Sequence, residues 1–297
     1  MNVFVLLGLG AAAGLLAGMF GVGGGFLATP LLIFVGIPPA VAVASQANQV
    51  IANSVSSFQV QWRRGNVDLR MGLVLLVGGM IGSTAGVALF TYLKNIGQID
   101  FVIAVLYVVM LSTIGLLMLI ESLRTYIKRR RNPGAPRGKL HTHYLVHRLP
   151  LKLRFYKSKL YISALLPVGV GFVIGVLSAI LGVGGGFVLV PAMIYLLGMP
   201  TTVVIGTSNF QILFVAANVT FLQAATNGTV DVVLALLLIL GGVVGAPIGS
   251  RLAAKLPGVV LRGLMSVLIL AVAGQLLVEL LRTPSLPFSL GPREALK

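Results

Sequence analysis

Two short glycine clusters carry the clearest chemistry in this sequence. Gly21-Val-Gly-Gly-Gly-Phe26 recurs as Gly182-Val-Gly-Gly-Gly-Phe187, and each copy lies between long apolar stretches. A glycine costs a helix about 1 kcal/mol relative to alanine, so three in succession predict a break that frees backbone N–H groups. Such groups, at the start of the next helix, attract anions. The predicted backbone ligands are the amides of Gly23, Gly24, Gly25, Phe26, Gly184, Gly185, Gly186 and Phe187.

Polar side chains form a second pair of clusters, one helix downstream of each glycine motif. They stand in otherwise apolar stretches, where buried amides and hydroxyls must find partners. Interhelical hydrogen bonds would explain some of them, whereas a shared cavity for an oxyanion would explain two clusters together. At an offset of 161 positions, Asn48 falls on Asn209 and Gln46 on Thr207. The predicted side-chain ligands are Ser45, Gln46, Asn48, Gln49, Thr207, Ser208, Asn209 and Gln211.

The six acidic residues argue against transport of divalent cations or protons. Five lie at or near predicted helix ends, and Glu294 lies near the C-terminus. Asp68 and Asp231 each follow Gly-x-Val, and we interpret them as helix N-caps. Without a carboxylate at membrane depth, the chain lacks oxygen ligands for a divalent cation and a relay for protons. We therefore expect an anionic substrate, no metal site and no cofactor.

Other chemistries find little support in the sequence. The glycine motif resembles a nucleotide-binding loop, but no Lys-Ser or Lys-Thr follows it and no βαβ pattern surrounds it. No acid pair, metal triad or nucleophile with its base is expected at membrane depth, so we predict that the chain is not an enzyme. The histidines at 141, 143 and 147 lie in a basic segment and are interpreted as solvated.

Composition identifies the elements that must position these groups. Of 297 residues, 57% are hydrophobic and 9% are charged, whereas soluble domains carry about 25% charged residues. Apolar stretches of about 18 residues or more can cross a bilayer core of about 30 Å. The sequence predicts an all-α polytopic membrane protein with about eight full spans and two half-helices that follow the glycine motifs. Residues 3–20 lack the features of a cleaved signal peptide and are expected to remain in the protein.

The sequence predicts two pseudo-symmetric repeats within one transporter domain. Residues 78–86 and 241–249 share the pattern Gly-Gly-x-x-Gly-x-x-x-Gly, which predicts close helix packing through small residues. Broken helices at matching places in two halves are typical of a secondary transporter's binding site. Counts of basic residues fit parallel and inverted repeats equally, and we favour inverted repeats because alternating access is often built that way. The predicted boundaries are 1–122 for repeat one, 123–160 for a linker, 161–281 for repeat two and 282–297 for a tail.

The net charge of +16 is concentrated in the linker. Twelve of the 22 Lys and Arg residues fall between Arg124 and Lys159, which the positive-inside rule places in the cytoplasm. We expect this linker to meet anionic lipid head groups, and we do not expect nucleic-acid binding. A scaffold that docks partner proteins through the linker, or an anion channel, remains an alternative to a carrier. The sequence leaves the oligomeric state open.

The doubled motif resembles the TauE/SafE family of anion permeases. The likeness covers roughly residues 5–120 and 160–280, and it rests on Gly21, Gly23–Gly25 and Pro30, with their counterparts Gly182, Gly184–Gly186 and Pro191. This resemblance implies export or uptake of sulfite, sulfonates or related small organosulfur anions. It also implies a multi-pass protein of the bacterial or archaeal cell membrane.

Overall fold

The computed structural model describes residues 3–20, 25–131, 152–158, 160–255 and 258–281. Within these ranges, the first half contains helices α1 Val3–Phe20, α2 Gly25–Phe34, α3 Pro39–Arg63, α4 Leu69–Asn95 and α5 Ile99–Arg131. Strand β1 Lys152–Phe155 pairs antiparallel with β2 Leu160–Ser163. The second half contains α6 Leu165–Leu181, α7 Gly186–Tyr195, α8 Thr201–Leu222, a π-helical turn Gln223–Asn227, α9 Val232–Lys255 and α10 Gly258–Leu281.

The predicted all-α polytopic class is confirmed. In the part of the chain that the structure describes, five helices are long and apolar enough to cross a membrane. They lie in α4, α5, α8 with its π-helical turn, α9 and α10. The prediction was about eight full spans. The difference arises because α3 is long but rich in polar residues, while the stretches counted in α1 and α6, Val3–Met19 and Leu165–Leu181, have 17 residues each. The half-helices α2 and α7 have 10 residues each, as predicted.

Helices α1 and α9 pack side by side along their lengths. A Cβ added to Gly10 would meet the backbone of Leu238, and one added to Gly14 would meet the backbone of Gly242. Residue numbers increase together along this contact, so the two helices run in the same direction. The absence of side chains allows their backbones to approach closely.

Helices α4 and α6 form the corresponding contact, in which a helix of the first half again packs against a helix of the second half. Here a Cβ on Gly78 would meet Val168, and one on Gly82 would meet Phe172. These two helices also run in the same direction. The predicted close packing through the small-residue patterns of α4 and α9 is confirmed, and each pattern contacts a helix of the other half.

Two further helix pairs, α3 with α8 and α5 with α10, run antiparallel. Phe58 contacts Phe210 at 5.6 Å between ring centroids, and nearer the start of α3, Ala47 clusters with Val219. When α1–α5 exchange places with α6–α10, the α1–α9 pair becomes the α6–α4 pair. The α3–α8 and α5–α10 pairs each map onto themselves, and the two helices within each of these pairs run in opposite directions. This pattern supports inverted repeats, which remain a prediction.

Helices α1 and α2 form a helical hairpin whose two free ends lie together. Leu6 near the start of α1 clusters with Leu32 and Ile37 at the far end of α2, beside Leu234 of α9. In the second half, Leu197 after α7 clusters with Ile162, which precedes α6. The two helical hairpins therefore open at opposite ends of α3.

Secondary structure extends into both ends of the predicted linker. Helix α5 continues to Arg131, and the β-hairpin crosses the predicted boundary at 160. Phe155 and Ile162 are buried against Met199 in the α7–α8 connection. Ser158 donates two hydrogen bonds to Asp68 Oδ2, from N at 3.0 Å and from Oγ at 2.6 Å. The linker histidines and the tail 282–297 lie outside the described residues.

Candidate functional site

The second glycine motif forms a left-handed turn between α6 and α7. Gly182, Gly184 and Gly185 have φ of 67°, 69° and 74°, a conformation that is unfavourable for residues with a side chain. Space is equally restrictive, because a Cβ on Gly184 would meet Val50 of α3 and one on Gly185 would meet Ile174 of α6. The predicted helix break is present in this copy, and the turn requires glycine for two separate reasons.

The start of α7 presents backbone amides that the helix itself does not use. Its first hydrogen bonds are donated by Val188 and Leu189, both to Gly185 O, at 3.1 and 2.8 Å. The amides of Gly186 and Phe187 precede these bonds, as the first N–H groups of any helix do. They lie at the positive end of the helix dipole, the kind of place where helices bind anions.

The first glycine motif is described only from its last glycine onwards. Gly21, Gly23 and Gly24 lie outside the described residues. Gly25 opens α2 beside the second motif, since a Cβ there would lie 2.7 Å from Val50 and 3.2 Å from Val183 O. The first copy therefore reaches the same interior region as the second.

The phenylalanines that end the two motifs stack on each other inside the protein. The rings of Phe26 and Phe187 lie 4.2 Å apart between centroids and are inclined by only 7°. Their side chains are 0% and 2% exposed. The two residues are 161 positions apart, the offset that relates the motifs. The inner ends of both helical hairpins thus meet at one buried point.

The polar cluster of α3 lies in the interior and is joined to α1 and α9. Gln49 Nε2 donates to Gly10 O at 3.3 Å and to Leu238 O at 3.0 Å. Gln46 Nε2 donates to Gln49 Oε1 at 2.8 Å. Both glutamines are fully buried, and Gln46 Oε1 has no hydrogen-bond partner. The interhelical hydrogen bonding considered from the sequence is present, and it leaves one acceptor unused.

The polar cluster of α8 repeats part of this arrangement. Gln211 Nε2 donates to Leu75 O of α4 at 3.4 Å, as Gln49 does to α9. Gln211 Oε1 is buried without a partner. Ser208 bonds within its own helix, from Oγ to Ile205 O at 3.1 Å. Ser208 occupies the position in α8 that Gln46 occupies in α3. The second cluster therefore has no amide at this position that could donate to Gln211 Oε1.

Two hydroxyls of the clusters accept hydrogen bonds from backbone at matching positions. Ser45 Oγ accepts from Asp231 N and Thr207 Oγ1 accepts from Asp68 N, each at 3.0 Å. Ser45 and Thr207 are 162 positions apart. The hydroxyl oxygens thus connect each cluster to the start of a helix in the other half.

These hydrogen bonds correct the alignment of the clusters. An offset of 162 pairs Ser45 with Thr207, so the pairings of Asn48 with Asn209 and of Gln46 with Thr207 are wrong. The second half has one extra residue between Pro191 and Pro200, before α8 begins. Asn48 donates to Ser45 O at 3.4 Å and Asn209 donates to Ile205 O at 2.8 Å, so both amides are engaged within their own helices.

The aspartates at the starts of α4 and α9 are N-caps, as predicted. Asp68 Oδ1 accepts from Met71 N at 3.2 Å, and Asp231 Oδ1 accepts from Leu234 N at 3.0 Å. Each bond satisfies an amide that the helix leaves free. Asp68 is also covered by the β-hairpin through Ser158.

Tyr107 is a residue near the glycine motifs that the sequence interpretation missed. It is fully buried in α5, and its hydroxyl donates to Leu181 O, the carbonyl that precedes the second motif. Thr29 of α2, also fully buried, donates to Gly25 O at 3.4 Å. A lone tyrosine within an apolar stretch was the available signal for the first of these.

Two cavities of about 260 Å³ lie at opposite ends of α3, next to the two capped aspartates. One is bordered by Trp62, Asp68, Arg70, Tyr156 and Lys157. The other is bordered mainly by apolar residues and Asp231. None of the predicted anion ligands that the structure describes borders either cavity. In this conformation Gly184 and Gly185 of the second motif pack against Val50 and Ile174.

Comparison with known proteins gives consistent matches along almost the whole chain. The profile described as "Sulfite exporter TauE/SafE" matches residues 6–276. "Probable membrane transporter protein" of Xylella fastidiosa (strain 9a5c) is 29% identical over 256 residues, which are 86% of each chain. "Probable membrane transporter protein YunE" of Bacillus subtilis (strain 168) is 26% identical over 289 residues, covering 94% of this chain and 98% of the relative. No solved structure matches the chain significantly.

Proposed function

The chain belongs to the sulfite exporter TauE/SafE family of multi-pass membrane transporters, and from that membership we propose that it carries small sulfur-containing anions across the cell membrane. The substrates would be sulfite, sulfonates or sulfoacetate-like organosulfonates. The observation that supports this proposal best is the buried stack of Phe26 on Phe187. It brings the ends of two glycine-broken helices together, as expected at a secondary transporter's binding site.

The proposed site binds the anionic group through backbone amides. The amides of Gly186 and Phe187 stand at the positive end of α7, and we propose that residues 23–26 supply the matching groups from the first motif. Neutral donors suit an oxyanion that must also be released, because no full ion pair has to be broken. The remaining proposed ligands are the side chains of Ser45, Gln46, Asn48, Gln49, Thr207, Ser208, Asn209 and Gln211.

The proposed mechanism is alternating access between two inverted repeats. The helical hairpins α1–α2 and α6–α7 open at opposite ends of α3, and the phenylalanine stack separates these ends. Separation of the two rings toward the open end of one helical hairpin would connect the site to one face of the membrane. Separation toward the open end of the other hairpin would connect it to the opposite face. The cavities beside Asp68 and Asp231 are the outer ends of these two routes in this proposal.

Flux into proteoliposomes tests the proposed function. Purified protein would be reconstituted and assayed with sulfite, sulfate, taurine and sulfoacetate across a range of concentrations, with chelator present as a control. We expect saturable uptake of at least one sulfur anion, reduced by its analogues. Uptake that rises linearly without saturation would indicate a channel. No movement of any of these anions would contradict the proposal.

A scaffold that docks partners through the basic linker is the second candidate. The β-hairpin at the end of the linker packs firmly on the transporter core through Phe155 and Ser158, which gives the linker a fixed attachment. A scaffold should show no substrate flux, and it should lose its effect when residues 124–159 are deleted. The linker's binding to anionic lipid head groups is a further proposal, which vesicle flotation with and without anionic lipid would test.

A further inference from the structure

We infer that the transported anion also carries a hydrogen-bond donor, and that Gln46 and Gln211 accept the hydrogen bond from it. This inference rests on the proposed function and narrows its substrate class. The class contains solutes with both an oxyanion group and an O–H or N–H group, such as hydrogensulfite, hydroxysulfonates and aminosulfonates. Alkylsulfonates and sulfoacetate, which have no donor, fall outside it.

The orientations of both amide groups follow from their hydrogen bonds. Gln49 Nε2 faces two backbone carbonyls, Gly10 O and Leu238 O, which can only accept. Gln49 Oε1 must then face Gln46 Nε2, so the unused atom of Gln46 is its oxygen. Gln211 is oriented in the same way, because its Nε2 faces Leu75 O.

Both unused atoms are therefore buried acceptors. Gln46 is 0% exposed and Gln211 is 1% exposed, and neither Oε1 has a partner. Buried polar atoms without partners are rare in proteins, and each calls for an explanation such as a ligand that fills it. A plain oxyanion cannot fill them, since it offers no hydrogen to share.

Gln46 lies on the face of α3 that packs against the second glycine motif. Val43 and Val50 lie three residues before it and four residues after it, which places all three along one side of the helix. A Cβ on Gly182 would meet Val43, and one on Gly184 would meet Val50. The acceptor of Gln46 therefore belongs to the helix surface that covers the proposed anion site.

Gln211 lies in α8, a second helix that contacts this glycine motif. Its neighbour Ile212 contacts Gly184, because a Cβ there would lie 2.9 Å from Ile212 Cγ2. Gln211 is the counterpart of Gln49, and the smaller Ser208 leaves its oxygen unfilled. The helices α3 and α8, which both contact the second glycine motif, thus each carry one unused acceptor.

A series of three ethanesulfonates tests the inference in wild-type protein. They share the two-carbon chain and the sulfonate, and the second carbon carries an ammonium group (2-aminoethanesulfonate), a hydroxyl group (2-hydroxyethanesulfonate) or only hydrogen (ethanesulfonate). The measurement is the half-saturating concentration for flux into proteoliposomes or for competition against sulfite. We expect ethanesulfonate to need at least a tenfold higher concentration than the better of the other two, because it leaves buried acceptors unpaired.

The outcomes separate this inference from the function on which it rests. Equal half-saturating concentrations for all three compounds would contradict the inference while supporting a sulfur-anion carrier. A preference for ethanesulfonate would contradict it as well. If neither sulfite nor any of the three moves saturably or competes, the proposed function fails and the inference fails with it.

Substitution of the two glutamines provides a second readout. Gln46→Met and Gln211→Met keep side-chain length but remove the acceptors, so we expect the preference over ethanesulfonate to fall toward unity. Gln61→Met is the matched control, because Gln61 lies at the far end of α3 and accepts from Asn66. A preference that stays at its wild-type value in the double variant would contradict the assigned residues. The wild-type series remains decisive if a variant fails to fold.

Discussion

Gly185 combines a backbone and a packing requirement at a single residue. Its φ of 74° disfavours any side chain, and a Cβ would also meet Ile174. Gly198 has a similar φ of 72° but has no atom within 4 Å of the position of a Cβ. The comparison of these two residues separates conformational strain from loss of space at the turn.

Gly185→Ala should abolish anion flux while leaving membrane insertion intact. Gly198→Ala should lose only about 1–2 kcal/mol through its backbone conformation and should retain flux. Flux in proteoliposomes and elution as a single species in detergent measure the two effects. Wild-type flux in Gly185→Ala would contradict the assignment of this turn to the transport site.

Ser45→Ala and Thr207→Val should each destabilise the protein by about 1–3 kcal/mol. The reason is that each leaves a backbone amide, of Asp231 or Asp68, without its acceptor. The unfolding temperature in detergent would be compared with that of Ser56→Ala, whose exposed hydroxyl bonds only to its own helix. Unfolding temperatures equal to that of the control would show that the two hydroxyls are dispensable.

Residue types at the site were predictable, but their register was not. The repeated spacing of the glycine motifs indicated an offset of 161, and one extra residue before α8 shifted the clusters to 162. The register becomes visible only when Ser45 and Thr207 are seen to make the same bond. Likewise, amide orientation depends on carbonyls from distant helices, such as Leu238 O, which a sequence pattern cannot place.

At the scale of elements, the β-hairpin breaks the symmetry between the halves. It covers the capped start of α4 through Ser158 and Asp68, whereas Asp231 at the start of α9 is exposed. The helices and the breaks were predictable from apolar length and glycine spacing. The hairpin was not, because its basic composition indicated a solvated linker and its burial depends on Phe155 meeting Met199 from another element.

Asp68→Ala should release the β-hairpin, whereas Asp231→Ala should not. Both variants lose an N-cap, which costs about 1 kcal/mol, but only the first loses the bonds from Ser158. Limited trypsin digestion at the exposed Arg154 and Lys157 measures the release. Equal digestion rates in the two variants would contradict an anchoring role for Asp68.

At the scale of the whole molecule, the ends of α2 and α7 should face opposite sides of the membrane. Val35 and Leu196 are exposed residues near these ends and are 161 positions apart. The chain contains no cysteine, so Val35→Cys and Leu196→Cys can each be labelled singly. An impermeant thiol reagent should reach only one of them from outside intact cells. Labelling of both from one side would indicate parallel repeats.

Helices α1 and α4 each pack against a helix of the other half, α9 and α6 respectively. This arrangement has a consequence for biosynthesis. Helix α1 leaves the ribosome roughly 220 residues before the helix that it packs against, a delay of about 10–45 s at usual elongation rates. During that interval its glycine-lined face has no protein to cover it. The nascent chain therefore depends on lipid or on the insertion machinery until α9 arrives, and neither half should be stable when it is made alone.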